Sequence, residues 1–281
     1  MSDIGFEGIS HEPIVKKIAT KVVNRVFPKD IEYISKDGLQ KATEHVHNRG
    51  GLIVAFTHFT GREGIDVATW LREQPEFKDK EIVSPVSWHT YMKGKAGYDK
   101  AGELLRVKFI PIVTPETMAL NQGVLDKLGA FPNEGLREYL QTAGEVLKKG
   151  GIVMVAPQGE GNTGSLGDPT PALSALIKTT GEDAEINTGI LFVGLEIPGA
   201  TPETMKREGA LANLAKMHML KRIKFRIGNF FTRDEAIESS KNESLIKTPE
   251  KKIRPLDLWG FKQLASLVSP QNVASEYLQN K

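Results

Sequence analysis

Two apolar, β-branched runs, each ending in a glycine-bearing turn, constrain this chain more than any other feature. The first is Gly51-Leu52-Ile53-Val54-Ala55-Phe56, followed by Thr57-His58-Phe59-Thr60-Gly61-Arg62-Glu63-Gly64-Ile65-Asp66. The second, roughly a hundred residues later, is Ile152-Val153-Met154-Val155-Ala156, followed by Pro157-Gln158-Gly159-Glu160-Gly161-Asn162. After the first turn, Ile65, Ala68, Trp70 and Leu71 begin a helical pattern with carboxylates in its first turn, so the stretch reads as strand, loop, helix.

The rest of the chain repeats that alternation. Strands are expected at Ile31–Ile34, Glu81–Trp88, Val107–Val113, Ile190–Ile197 and Ile223–Ile227, and helices at Leu39–His47, Tyr91–Leu105, Leu136–Leu147 and Pro171–Ile177. Gly150 and Gly151 stop the helix before the second run. Strands alternating with helices predict an α/β fold with a largely parallel sheet flanked by helices. Ahead of it, Ile14, Ile18, Val22 and Val26 recur at every fourth position with Lys16, Lys17, Lys21 and Arg25 on other faces, which predicts an amphipathic helix within residues 1–30. The α/β domain is placed at 31–232. From Arg233 the chain turns helical and charged, broken by Pro249, Pro255 and Pro270, a C-terminal helical extension over 233–281.

A chain of 281 residues with 40% hydrophobic and 26% charged residues is a globular composition. The absence of cysteine excludes disulfides, thiolate zinc sites and a cysteine nucleophile. A net charge of +2 is too mild for a nucleic-acid binder. Basic residues cluster locally, at Lys93 to Lys108 and through residues 206–226; such clusters are most often solvated faces and also suit anionic lipid, coenzyme phosphates or an acidic carrier protein. No apolar run has the length of a membrane span, and Met1 to Gly8 contains acids where a signal peptide is basic. The expected place is the cytoplasm, with peripheral contact at the inner membrane surface compatible with the basic stretches. His45 and His47, two apart, do not share a helical face and are read as surface residues; no metal site is expected.

His58 carries the chemistry of the first turn. An imidazole at the carboxyl end of a strand, with Glu63 and Asp66 five and eight residues on, can be oriented by a carboxylate through one nitrogen while the other faces a substrate hydroxyl. A histidine after a strand is more often a hydrogen-bonded structural residue. The second glycine-bearing turn shifts the balance toward a site.

With both turns in view, the order of the His58 loop, the Lys93 region, the Phe109 strand, the Pro157-Gln158-Gly159 loop and the Phe192-Val193-Gly194 strand resembles the glycerolipid acyltransferases of the lysophosphatidic acid acyltransferase type. The family motif Asn-His-x-Ser-x-x-Asp lies against Thr57-His58-Phe59-Thr60-Gly61-Arg62-Glu63, and Phe-Pro-Glu-Gly-Thr-Arg-Ser against Ala156 to Asn162. The likeness runs from about Ile31 to about Phe230. It implies a glycerolipid-acyltransferase-like fold with His58 as general base and Glu63 orienting it, Asp66 being the fallback. It also implies an acyl-CoA or acyl carrier protein donor and a lipid or other hydroxyl acceptor, with no further cofactor. Thr57, Thr60, Gly61, Arg62, Pro157, Gln158, Gly159, Glu160, Gly161 and Asn162 would line the substrate, and backbone N–H groups of the turns would form an oxyanion hole. The chain departs from the motifs where Gln158 replaces Glu and Gly161 replaces Arg, and the Phe109 strand ends in Thr114 without arginine. A phosphate-bearing acceptor would lack two cations there, so a neutral or differently charged hydroxyl is expected, with Arg106, Lys108 or the 206–226 run as replacement phosphate contacts if one binds. A non-catalytic acyl-chain or lipid binder of the same fold is the second reading. A nucleotide phosphate held by Gln158 to Gly167 ranks below it, because that loop lacks a P-loop ending.

Overall fold

The computed structural model describes residues 29–59, 63–113, 123, 135–158, 165–180, 187–197, 223–247 and 252–273. The expected N-terminal helix lies outside them, as do Thr60, Gly61, Arg62 and 159–164 of the two turns and all but the end of the 206–226 basic run.

In chain order the elements are β1 (Lys29–Tyr33), α1 (Gly38–His47), β2 (Gly51–Phe56), α2 (Glu63–Glu73), β3 (Ile82–Ser87), α3 (Trp88–Lys93), α4 (Lys95–Leu105), β4 (Val107–Ile112), α5 (Leu136–Lys148), β5 (Ile152–Val155), α6 (Ala172–Thr179), β6 (Thr188–Glu196), β7 (Ile223–Thr232), α7 (Arg233–Ser240), β8 (Ile246–Lys247), β9 (Lys252–Ile253) and α8 (Pro255–Ala265). Seven strands form one sheet in the order β1-β7-β6-β2-β5-β3-β4. Every pairing is parallel except β6 with β7. This is the largely parallel α/β sheet that the alternation predicts.

Burial explains the strand sequences. All residues of β2, β5 and β6 are buried, because these strands sit in the middle of a sheet covered on both faces; their sequences are accordingly apolar runs with no polar alternation. β4, at the edge, is only partly buried and exposes Lys108. Leu52, Val54 and Phe56 face one core layer with Ala42 and Val46 of α1 and Val67, Trp70 and Leu71 of α2. Ile53 and Ala55 face the other, with Tyr139 and Val146 of α5, Leu173 and Ile177 of α6 and Trp259 and Leu264 of α8. The C-terminal helix is thus part of the same core as the sheet.

Several local expectations differ in the structure, and the extension after Arg233, expected to be helical, also holds the antiparallel pair β8 and β9. The helical stretch through Tyr91 to Leu105 is two helices meeting at Gly94, whose N–H reaches the Thr90 and Tyr91 carbonyls. β7 runs on to Thr232, because Phe230 and Phe231 find ladder partners in Leu191 and Ile190. His45, read as a surface residue, is buried: its Nε2–H donates to the Gly51 carbonyl at 3.1 Å and its ring lies 5.1 Å from that of Phe230. The turn at Gly150 does need glycine, with φ +70° and the Arg49 carbonyl 2.9 Å from where a Cβ would stand.

The connections position the site. The crossover from β2 to β3 passes β5 with α2 on one face, while the crossover from β5 to β6 passes back over β2 with α6 on the other. The carboxyl ends of β2 and β5 therefore open where the winding reverses, the place at which α/β sheets bind ligands.

Candidate active site

His58 stands two residues beyond the end of β2. The chain reaches it through Thr57, which continues the ladder to β6: its N–H donates to Val193 O at 3.2 Å, its hydroxyl donates to Leu195 O at 2.9 Å, and that hydroxyl accepts from Leu195 N at 2.7 Å. Thr57 is wholly buried and fixes the strand end. Its expected contact with substrate is not what this geometry provides, because both functions of its hydroxyl are engaged by Leu195.

The next link is Glu63, first residue of α2, with a carboxylate only 1% exposed. Its Oε1 accepts from the Phe59 N–H at 3.0 Å, and its Oε2 lies 3.0 Å from Nδ1 of His58. A carboxylate only accepts, so Nδ1 carries the proton and the neutral imidazole presents Nε2 as a free lone pair. The first turn of a helix suits this negative charge, since unpaired N–H groups and the helix dipole point toward it. The His58 side chain is 28% exposed, against 1% for Glu63. The carboxylate against the imidazole is therefore Glu63. Asp66, three residues further along α2, is buried at 2% exposure and has interactions of its own.

From β5 comes Gln158, 3% exposed. Its Oε1 accepts from the His58 N–H at 3.1 Å, and its Nε2 donates to the His58 carbonyl at 2.6 Å. Gln158 is therefore directed at the protein backbone, in place of the substrate contact that the motif likeness implies. Pro157 is buried, and its carbonyl accepts from Thr170 N at 3.0 Å, which begins the return toward α6.

No family model and no curated protein matches this sequence.

Of the expected residues, the structure brings together Thr57, His58, Glu63, Pro157 and Gln158. Thr60, Gly61, Arg62, Gly159, Glu160, Gly161 and Asn162 lie outside the described residues. The His58 and Phe59 N–H groups are taken by Gln158 and Glu63. Arg106 and Lys108, expected as replacement phosphate contacts, do not stand at this site. They flank the amino end of β4, at the opposite end of the sheet from His58, where Arg106 lies 3.6 Å from Asp79 and Lys108 3.6 Å from Glu138. They cannot replace a phosphate contact at this site. From the 206–226 run, Arg226 is engaged by Glu196 at 2.7 Å and Glu32 at 3.2 Å.

Sequence reading missed Phe59. Its ring is fully buried in a separate cluster with Leu166, Phe261 and Val268, so the C-terminal segment packs beneath the His58 loop. The signal was a large apolar side chain inside an otherwise polar, glycine-bearing loop. Among the described residues, no group of three His, Asp or Glu side chains is arranged to hold a metal ion, and no helix is long and apolar enough to cross a membrane.

Proposed function

We propose that this chain is an acyltransferase that moves a fatty acyl group from an acyl thioester, on coenzyme A or an acyl carrier protein, to a hydroxyl acceptor. The observation that carries the reading is the buried Glu63 carboxylate hydrogen-bonded to Nδ1 of a partly exposed His58, at the sheet end where the winding reverses. The likeness of the His58 and Gln158 loops to the glycerolipid acyltransferase motifs supports it. In this mechanism Nε2 of His58 takes the proton of the acceptor hydroxyl as its oxygen attacks the thioester carbonyl. The tetrahedral intermediate collapses, the C–S bond breaks, and the leaving thiolate takes the proton back from the imidazolium. Glu63 holds the ring in the required tautomer and stabilises its positive charge.

The chain has no cysteine, so a thiol-reactive dye reports only thiol released from the donor. The purified protein is incubated with acyl-CoA or acylated carrier protein and a panel of hydroxyl acceptors. Acceptor-dependent thiol release is expected, with glycerol 3-phosphate and lysophosphatidic acid poor acceptors. His58→Ala should lower the rate by about 10²–10⁴-fold with an unchanged circular dichroism spectrum. Binding of acyl-CoA with no thiol release would favour the non-catalytic lipid binder. Full turnover by a folded His58→Ala protein would sink the catalytic role.

A further inference from the structure

We propose that Gln158 is a positioning residue, whose side-chain amide substitutes for a missing strand partner and fixes the backbone of His58. The pairing of β2 with β5 ends at Ala55 and Val155, and the last backbone bond from this strand to β6 is that of Thr57 N–H to Val193 O. His58 is the first residue beyond both. A peptide unit of a neighbouring strand would accept from its N–H and donate to its carbonyl. The Gln158 amide does both, at 3.1 and 2.6 Å, from a residue itself held by a bridge to Pro169. The His58 backbone is thus gripped from the β5 side by Gln158 while Glu63 grips the ring.

This arrangement specifies an amide. A carboxylate can accept from the N–H, but it has no donor and would set its lone pairs against the His58 carbonyl. A shorter hydroxyl side chain offers one oxygen where two separate atoms are needed. The glutamine that departs from the acyltransferase motif is therefore the residue this geometry requires.

The catalytic consequence rests on the acyl-transfer reading; the grip itself does not. The test uses the isosteric Gln158→Glu, prepared and compared with wild type between pH 5 and pH 8. Burial and the facing carbonyl raise the introduced carboxyl above its ordinary value near 4.3. A carboxyl with a raised folded value leaves stability intact below the unfolded value and removes it as pH rises through the folded one. The variant should therefore fold at pH 5 and melt at least about 5 °C below wild type at pH 8. The His58 ring resonance, assigned by its loss in His58→Ala, should move at pH 8 and return toward its wild-type position at pH 5. Acyl transfer at pH 8 should fall about 10- to 100-fold in kcat with KM changed less than about two-fold, and the ratio to wild type should recover toward pH 5.

An unmoved His58 resonance overturns the proposal even if the melting temperature falls, because burial of a charge alone would do that. A melting gap independent of pH, or failure to fold at pH 5, also overturns it. If wild type releases no thiol with any acceptor, the acyl-transfer reading falls and the His58 resonance still decides the grip.

Discussion

At the scale of single residues, the Glu63 carboxylate is committed twice, to Phe59 N and to Nδ1 of His58, and both bonds need an acceptor. An amide in its place has one acceptor and would turn its nitrogen toward one of the two N–H groups. Glu63→Gln is therefore expected to lose about 10²–10⁴-fold in kcat, and Asp66→Asn less than about ten-fold, because it is Glu63 that meets Nδ1 of His58. Steady-state rates of the two variants check this, and a larger loss at Asp66→Asn would move the orienting role to that residue. A carboxylate five residues after a histidine is visible in a sequence; which of two nearby carboxylates meets the ring depends on where the helix starts. Here α2 begins at Glu63, which places that carboxylate against the loop and Asp66 three residues further along the same first turn.

At the scale of elements, the long apolar runs announced themselves because a strand buried on both faces admits few polar residues, as in β2, β5 and β6. The end of α5 was equally legible from Gly150. His45 was not: only the packing of α1 against β2 and β7 turns it inward, onto Gly51 O and the ring of Phe230. Burial pulls its imidazole below the ordinary value near 6.5, against the raising effect of its backbone hydrogen bonds. The sign follows from proton binding. A base with a depressed folded value binds fewer protons folded than unfolded around that pH, so stability is lost as pH falls through the unfolded value. Wild type should lose stability between about pH 7 and pH 5, and His45→Gln, which keeps a donor for Gly51 O, should show a shallower loss. Denaturant unfolding of both proteins across that range measures the difference in slope; equal slopes would mean that His45 carries no part of it.

At the scale of the whole molecule, the C-terminal segment belongs to the site. Phe261 of α8 and Val268 close over Phe59, and the Leu166 N–H donates to Asn272 O at 2.6 Å beside them. The polypeptide that carries His58 is thus underpinned by residues some two hundred positions later. Phe261→Ala should destabilise the fold by about 3–5 kcal/mol through the cavity it leaves, and should lower acyl transfer further than the unfolded fraction explains, because Phe59 adjoins His58. Unfolding free energies and rates measured on the folded fraction separate the two effects; a stability change under about 1 kcal/mol would show the cluster to be loosely packed. The amino-acid sequence by itself determined the alternation of strand and helix, the parallel character of the sheet and the local pairing of His58 with a carboxylate, because each follows from periodicity and short spacing. Only the tertiary structure decided that Gln158 holds the His58 backbone, that Thr57 is sealed by Leu195 and that α8 supports the loop. Those contacts join residues distant along the chain, and hydrogen-bond demand and apolar packing select such partners only once the sheet has brought them together.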